Sequence, residues 1–311
     1  MGSCSTGTHG PIGEWDVAKI TDMGLMFFWA DEFNSDVSKW NVAKVTSLRM
    51  MFGRAKLFTS DLSKWNVTEV TNMLSVFSGS RSFNSNLSKW NVSKVTTMAW
   101  MFRGASEFTS DLSKWNVAKV TDMLEMFHGA HSFNSDVSKW DVAKVTDMRE
   151  MFHEASEFNS DLSKWNVAEV TNMGLMFSEA TSFNSDVSKW NVAKVTTMRW
   201  MFSYARSFDQ TLCGEAWVNS RADYHVDKSY MFAGSPNSYT TTVCDTWSNG
   251  IGSFYSWTAA TQNTSTSFST KSFATPGECM CALCLTRCEF GAHIATIDCV
   301  RKAVCEHTSY Q

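Results

Sequence analysis

Between Ser5 and Leu212 the chain has no cysteine, and its only prolines are Pro11, Pro236 and Pro276. Disulfides and thiolate metal sites are therefore excluded from that stretch. No run approaches the roughly 18–20 apolar residues needed to cross a bilayer, and Met1–Trp15 lacks the apolar core of a secretory signal. The net charge of −4 and pI near 6.0 leave no basic footprint for nucleic acid. There is no G-x-x-x-x-G-K-[ST], G-x-S-x-G, H-E-x-x-H or G-x-G-x-x-G motif. Catalysis needs an asymmetric constellation, which near-identical units do not provide, so the expectation is that this is not an enzyme and needs no cofactor. Hydrophobic residues at 43% argue equally against disorder.

What is present is one sentence written repeatedly. Trp15, Trp40, Trp65, Trp90, Trp115, Trp140, Trp165 and Trp190 fall 25 residues apart, each followed by a Met-Phe pair except where Val76 replaces the methionine. A fixed period of this length signals a solenoid whose units bury their apolar sides only against neighbours. In the copy from Leu62 the spacing L-x-x-W-x-V has leucine-rich-repeat grammar. Trp65 and Val67 have the alternation of a strand, and Val70, Met73, Val76 and Phe77 then follow at helical intervals. Thr71-Asn72 before Met73 supplies a helix cap. The expected fold is an α/β solenoid of about eight coils, each a short strand plus a short helical or 3₁₀ segment, stacked roughly 4.8 Å apart.

The predicted organisation is a segment 1–10, repeats over 11–210, an irregular capping repeat over 211–245, a Ser/Thr-rich linker over 246–278 and a Cys-rich tail over 279–311. Cys213 and Cys244 bracket the cap. With Cys279, Cys281, Cys284, Cys288, Cys299 and Cys305 they allow four disulfides, which favours an oxidising compartment. Connectivity stays open, as does a zinc site on Cys281 and Cys284 with Cys288 or His293. The opening MGSCST fits a myristoylation pattern at Gly2 with palmitoylation at Cys4. Two chains make a stable anchor, and chance or a cloning remnant explains the motif as well. Asn66, Asn86, Asn91 and Asn263 lie in glycosylation sequons. The first three fall in packed coils, which leaves Asn263 as the better acceptor.

The core W-[ND]-V-x-x-V-T-x-M-x-x-M-F, with A-x-x-F-[NT]-S-[DN]-[LV] after it, resembles the BspA-family leucine-rich-repeat surface proteins, a repeat also met as a domain of unknown function in mycoplasma lipoproteins. The likeness covers about residues 10–245. It implies a solenoid used for binding or adhesion at cell surfaces, with no catalytic residues to carry over. An extracellular or cell-surface location follows if a signal lies upstream of Met1, with protein or glycan as partner. The alternatives are an intracellular scaffold acylated at Gly2 and Cys4, and a structural matrix protein without a specific ligand.

For the polar columns, Asp36, Asp61, Asp111, Asp136, Asp161 and Asp186, with Asn86 as the exception, precede Lys39, Lys64, Lys89, Lys114, Lys139, Lys164 and Lys189 by three residues. Their expected role is mutual neutralisation, with an acidic calcium ladder as the alternative. Variation concentrates just before and after Met-Phe, from Gly24-Leu25 to Arg199-Trp200. Specific contact is expected on that helical edge, through Trp29, Trp100 and Trp200 with Arg49, Arg149 and Arg199, unless the pattern is drift at exposed sites. His128 and His153 share one slot in consecutive copies and His131 is three residues from His128. They are weighed as zinc ligands and taken instead as surface bystanders, so no metal is expected.

Overall fold

A computed structural model describes residues 10–212, 217 and 226–236, all within a compact unit spanning residues 1–246 and 254–266. The second unit, residues 247–253 and 267–311, lies outside the described residues, as do Gly2, Cys4, Asn263 and every cysteine.

Each 25-residue unit lies against the next in parallel register. One residue per unit forms a β-bridge with its counterparts, running Asp22, Ser47, Asn72, Thr97, Asp122, Asp147, Asn172, Thr197 and Asp227. After that residue every second N–H points forward. Those of Met123, Glu125, Phe127 and Gly129 reach the carbonyls of Asp147, Arg149, Met151 and His153 at 2.8–3.2 Å. Thr121 donates in the opposite sense, to the Thr96 carbonyl at 2.9 Å, and the same bond recurs from Thr46 to Thr196.

The structure differs from the strand-plus-helix expectation. Residues 10–212 contain no α-helix and no continuous strand; a 3₁₀ turn at Ile12–Glu14 precedes the repeats, and in the irregular copy Trp217 alone of the described residues is helical. The stretch expected to be helical is a chain of tight turns, with Met126 N–H on the Met123 carbonyl, His128 on Glu125 and Ala130 on Phe127. Two residues in each such stretch have left-handed backbone, Glu125 (φ 50°) and Gly129 (φ 67°) in this unit. A helix has no place for φ > 0, and it would withdraw the N–H groups that join successive units. Successive turns bonded three residues apart place Met123, Met126, Phe127, Ala130 and Phe133 on one side, the spacing a helix face would show. Likewise Trp115 N–H closes a turn on Leu112, and Val120 closes one on Val117, where the alternation had suggested a strand.

Inside, the apolar columns are continuous. Phe52, Phe77, Phe102, Phe127, Phe152, Phe177 and Phe202 stack at 5.6–5.8 Å, and each meets a second Phe of its own unit at 3.8–4.0 Å. The indoles spaced 25 residues apart, Trp40, Trp65, Trp90, Trp115, Trp140, Trp165 and Trp190, are buried, at 1–4% exposure, so they form no platform for sugars or bases. Each indole N–H is satisfied from behind; Trp115 donates to the Leu87 carbonyl at 3.1 Å and Trp140 to that of Leu112 at 3.1 Å. Buried serines serve the remaining orphan donors: Ser135 Oγ accepts Leu112 N–H at 2.8 Å, and Ser60, Ser85, Ser110, Ser160 and Ser185 occupy the same slot. A buried backbone N–H without such a partner is costly, which explains why serine fills that slot. Past Leu212, Trp217 still donates to Val187 at 3.0 Å and Asp227 still bridges Thr197, so the described residues of the irregular copy continue the pattern.

The Asp and Lys columns do not pair as expected. Asp36, Asp61, Asp111, Asp136, Asp161 and Asp186 each accept the N–H of the serine two residues on, at 2.8–2.9 Å. Those serine hydrogen bonds are the main reason their carboxyls sit below the usual range, with the lysines contributing less. Among the described residues, the Lys–carboxylate ion pairs join other positions, Lys56–Asp31, Lys94–Glu69 and Lys194–Glu169, each at 2.6 Å across one unit. The aspartates are turn formers, because a carboxylate oxygen reaches the N–H two residues on without strain.

Candidate functional site

The variable residues lie along the ribbon of left-handed turns, and the backbone explains both their exposure and their tolerance of change. One positive-φ position per unit carries Leu25, Met50, Ser75, Trp100, Glu125, Glu150, Leu175, Trp200 and Tyr230. A second carries Trp29, Arg54, Gly79, Gly104, Gly129, Glu154, Glu179, Tyr204 and Gly234. Between them lies the slot of Arg103, His128 and His153. The bonds that join the units here are backbone bonds, so these side chains are free to differ.

The aromatic residues expected to form a contact surface are not brought together. Trp29 belongs to the second positive-φ position while Trp100 and Trp200 belong to the first, and the three are several units apart. Trp29, 59% exposed, is covered on one face by the Arg54 guanidinium at 4.1 Å. Trp200 stacks on Tyr230 at 4.6 Å. Arg49, Arg149 and Arg199 share one slot in units two, six and eight. Arg149 is engaged with Glu125 at 3.5 Å and Glu150 at 4.0 Å. The sequon residues Asn66, Asn86 and Asn91 are exposed, contrary to expectation, although each side-chain oxygen is held in a turn by the N–H two residues on.

Two features concentrate polar chemistry on the ribbon. The first is a cavity of about 490 Å³ lined by His131, Glu154, Ser156, Glu179, Thr181, Tyr204 and Arg206. All seven come from only two slots of the repeat, repeated across four consecutive units. His131 Nδ1 is fixed on the Glu154 carbonyl at 2.8 Å, Ser156 donates to the His131 carbonyl at 3.3 Å, and Thr181 donates to that of Ser156 at 3.2 Å. Tyr204, half exposed, lies over Gly234, where a Cβ would clash with its ring.

The second feature is the histidine pair. His128 and His153 are not surface bystanders: their side chains are only 17% and 15% exposed, and their ring centroids are 4.5 Å apart. His128 Nδ1 lies 3.1 Å from Glu150 Oε2 and 3.6 Å from Glu125 Oε2; His153 Nδ1 lies 3.7 Å from Glu150 Oε2. The other nitrogen of His153 faces Glu154 at 3.8 Å and Glu179 at 4.0 Å, two of the cavity residues. Burial first, then the neighbouring His153 and Arg103, depress the His128 pKa and favour the neutral ring, against the pull of Glu125 and Glu150. Glu125 itself is clamped by Arg103 at 2.6 Å. The 25-residue period carried the signal that these rings are neighbours. Their burial depended on the side chains of units on either side.

Among the described residues no helix is long and apolar enough to cross a membrane. No curated protein and no solved structure matches the chain. Three overlapping segments, residues 2–99, 61–153 and 135–247, do match one family model, described as a Mycoplasma protein of unknown function, DUF285. Together they take in the whole repeat region and well over half of the sequence, and the chain belongs to that family.

Proposed function

We propose that this chain is a non-catalytic recognition module of the BspA leucine-rich-repeat type, a solenoid that presents its ribbon of variable turns to a glycan at a cell surface. The observation that carries the reading is the cavity between His131 and Arg206, whose lining comes wholly from variable slots while the rest of each unit hardly changes. Two carboxylates, two hydroxyls, an imidazole, a guanidinium and one exposed aromatic face are the donor and acceptor set that suits a sugar's hydroxyls and its apolar ring face. A protein surface would meet a broader, flatter contact than this concave one.

The test is binding of the intact chain to a glycan array. Recognition is expected to weaken when Tyr204→Ala or Glu179→Gln is introduced and to survive Trp29→Ala. Retention by the Tyr204 and Glu179 variants would overturn the assignment of the site; a protein ligand captured in place of any glycan would overturn the ligand class. The compartment is tested separately by intact-mass analysis. Four bridges among Cys213, Cys244, Cys279, Cys281, Cys284, Cys288, Cys299 and Cys305 fit the extracellular reading. Free thiols with acyl mass on Gly2 and Cys4 would replace it by a membrane-tethered intracellular scaffold.

A further inference from the structure

We propose that His128, Glu150 and His153 form a binding site for one divalent transition-metal ion, zinc foremost, held between the fifth and sixth units. The three residues offer two imidazole nitrogens and a carboxylate oxygen within 4.8 Å of one another. Tetrahedral zinc with bonds of about 2.0–2.1 Å sets its ligand atoms roughly 3.3 Å apart. The separations here are 3.1 Å from His128 Nδ1 to Glu150 Oε2 and 3.7 Å from His153 Nδ1 to the same oxygen. These two separations bracket that value, and the third, between the two imidazole nitrogens, lies within 4.8 Å.

A second observation points the same way. His153 Nδ1 is buried and has no hydrogen-bond partner. A buried polar nitrogen left unmatched is costly, and the ordinary remedies are a donor, a water or a metal. Glu150 Oε2, which is 3.1 Å from His128 Nδ1, stands 3.7 Å from His153 Nδ1, too far for a hydrogen bond. An ion between the three atoms satisfies all of them at once.

The donor set also selects the ion. Imidazole nitrogens suit zinc, copper and nickel, whereas magnesium and calcium demand oxygen shells. Three protein ligands leave one tetrahedral position open to water or an incoming donor. Glu125, kept in place by Arg103 and Arg149, lies 3.6 Å from His128 Nδ1, beside the site, where it can accept from a water in the open position. The site arises because this pair of consecutive units carries histidine in the middle slot and glutamate in the slot before; the neighbouring units have Arg103 and Ser178 there. The proposal is independent of glycan recognition and survives or fails without it.

The test uses the full chain, stripped of metal and titrated with zinc chloride by calorimetry, and with cobalt(II) followed by absorption. The cysteines of residues 279–305 can also take zinc, so the result is read as a difference between variants. The His128→Gln/His153→Gln double variant is expected to bind one zinc equivalent fewer than the unaltered chain. Glu150→Gln, which keeps both rings, is expected to weaken that equivalent by about tenfold or more. His131→Gln is expected to leave it unchanged. The cobalt lost with the double variant should lack the intense charge-transfer absorption of thiolate ligation. Equal zinc stoichiometry and affinity in the unaltered chain, the double variant and the Glu150 variant would overturn the proposal. So would loss of the equivalent in His131→Gln alone.

Discussion

Replacing Trp140 by alanine removes an indole that is 3% exposed, stacked on Trp115 at 6.4 Å and tilted against Phe127 at 6.3 Å. The flanking units are tied together by backbone bonds at 2.8–3.2 Å and cannot close over the void. A large-to-small change at such a site costs about 3–5 kcal/mol. Trp140→Phe separates the contributions. It loses the indole N–H bond to the Leu112 carbonyl, but Trp115 N–H still donates to that oxygen, so no acceptor is orphaned. About 1 kcal/mol for the bond and a similar amount for missing volume give roughly 2 kcal/mol. Trp15, in the same slot of the first unit, is 37% exposed, and Trp15→Ala is expected to cost about 1–2 kcal/mol. The assay is guanidinium unfolding followed by far-UV circular dichroism, read as a midpoint shift at constant slope. Because each unit touches only its neighbours, loss at an interior position must exceed loss at the end. If Trp140→Ala costs no more than Trp15→Ala, the indoles do not carry the contacts between units.

Ser135→Ala leaves the buried Leu112 N–H without its acceptor and should cost about 1–3 kcal/mol, with faster hydrogen exchange at that amide as the local sign. Glu154→Gly relieves a side chain held at φ 58° and is expected to raise stability by about 1 kcal/mol in the same unfolding assay. The carboxyls of Asp36, Asp61, Asp111, Asp136, Asp161, Asp186 and Asp227 lie below their ordinary value because serine hydrogen bonds favour the charged form. A pKa depressed in the folded state means stability is complete above the unfolded value of about 3.9 and is lost as pH falls through the folded value. Asp147, raised chiefly by burial, opposes this, but one group against seven leaves the net sign unchanged. His128, depressed chiefly by burial, adds a gentle loss that begins below about pH 6.5, so melting temperatures measured downward from pH 8 should fall slightly through that range and steeply below about pH 4. A melting temperature that rose below that point would contradict the turn role of these aspartates.

Much of this molecule is visible in its letters, because a repeat makes distant neighbours calculable. A fixed interval of 25 residues sets Trp115 beside Trp140 and His128 beside His153, and the apolar slots name the core without reference to coordinates. The backbone conformation was not visible in the same way. Apolar residues such as Met123, Met126, Phe127 and Ala130 have the spacing of a helix face, and a run of turns bonded three residues apart produces the same spacing. Side-chain pattern reports which residues share a face, whereas the choice between helix and turns depends on where the N–H groups find acceptors. Here those acceptors belong to the next unit, so only the tertiary structure decided it. The same holds for the ribbon. Which residues vary, and that Trp29, Trp100 and Trp200 fall in distant units, is written in the sequence, but that His131, Glu154, Glu179 and Arg206 converge on one cavity is not. Convergence of that kind follows from how each turn aims its side chain, and a left-handed residue aims it where an ordinary turn would not.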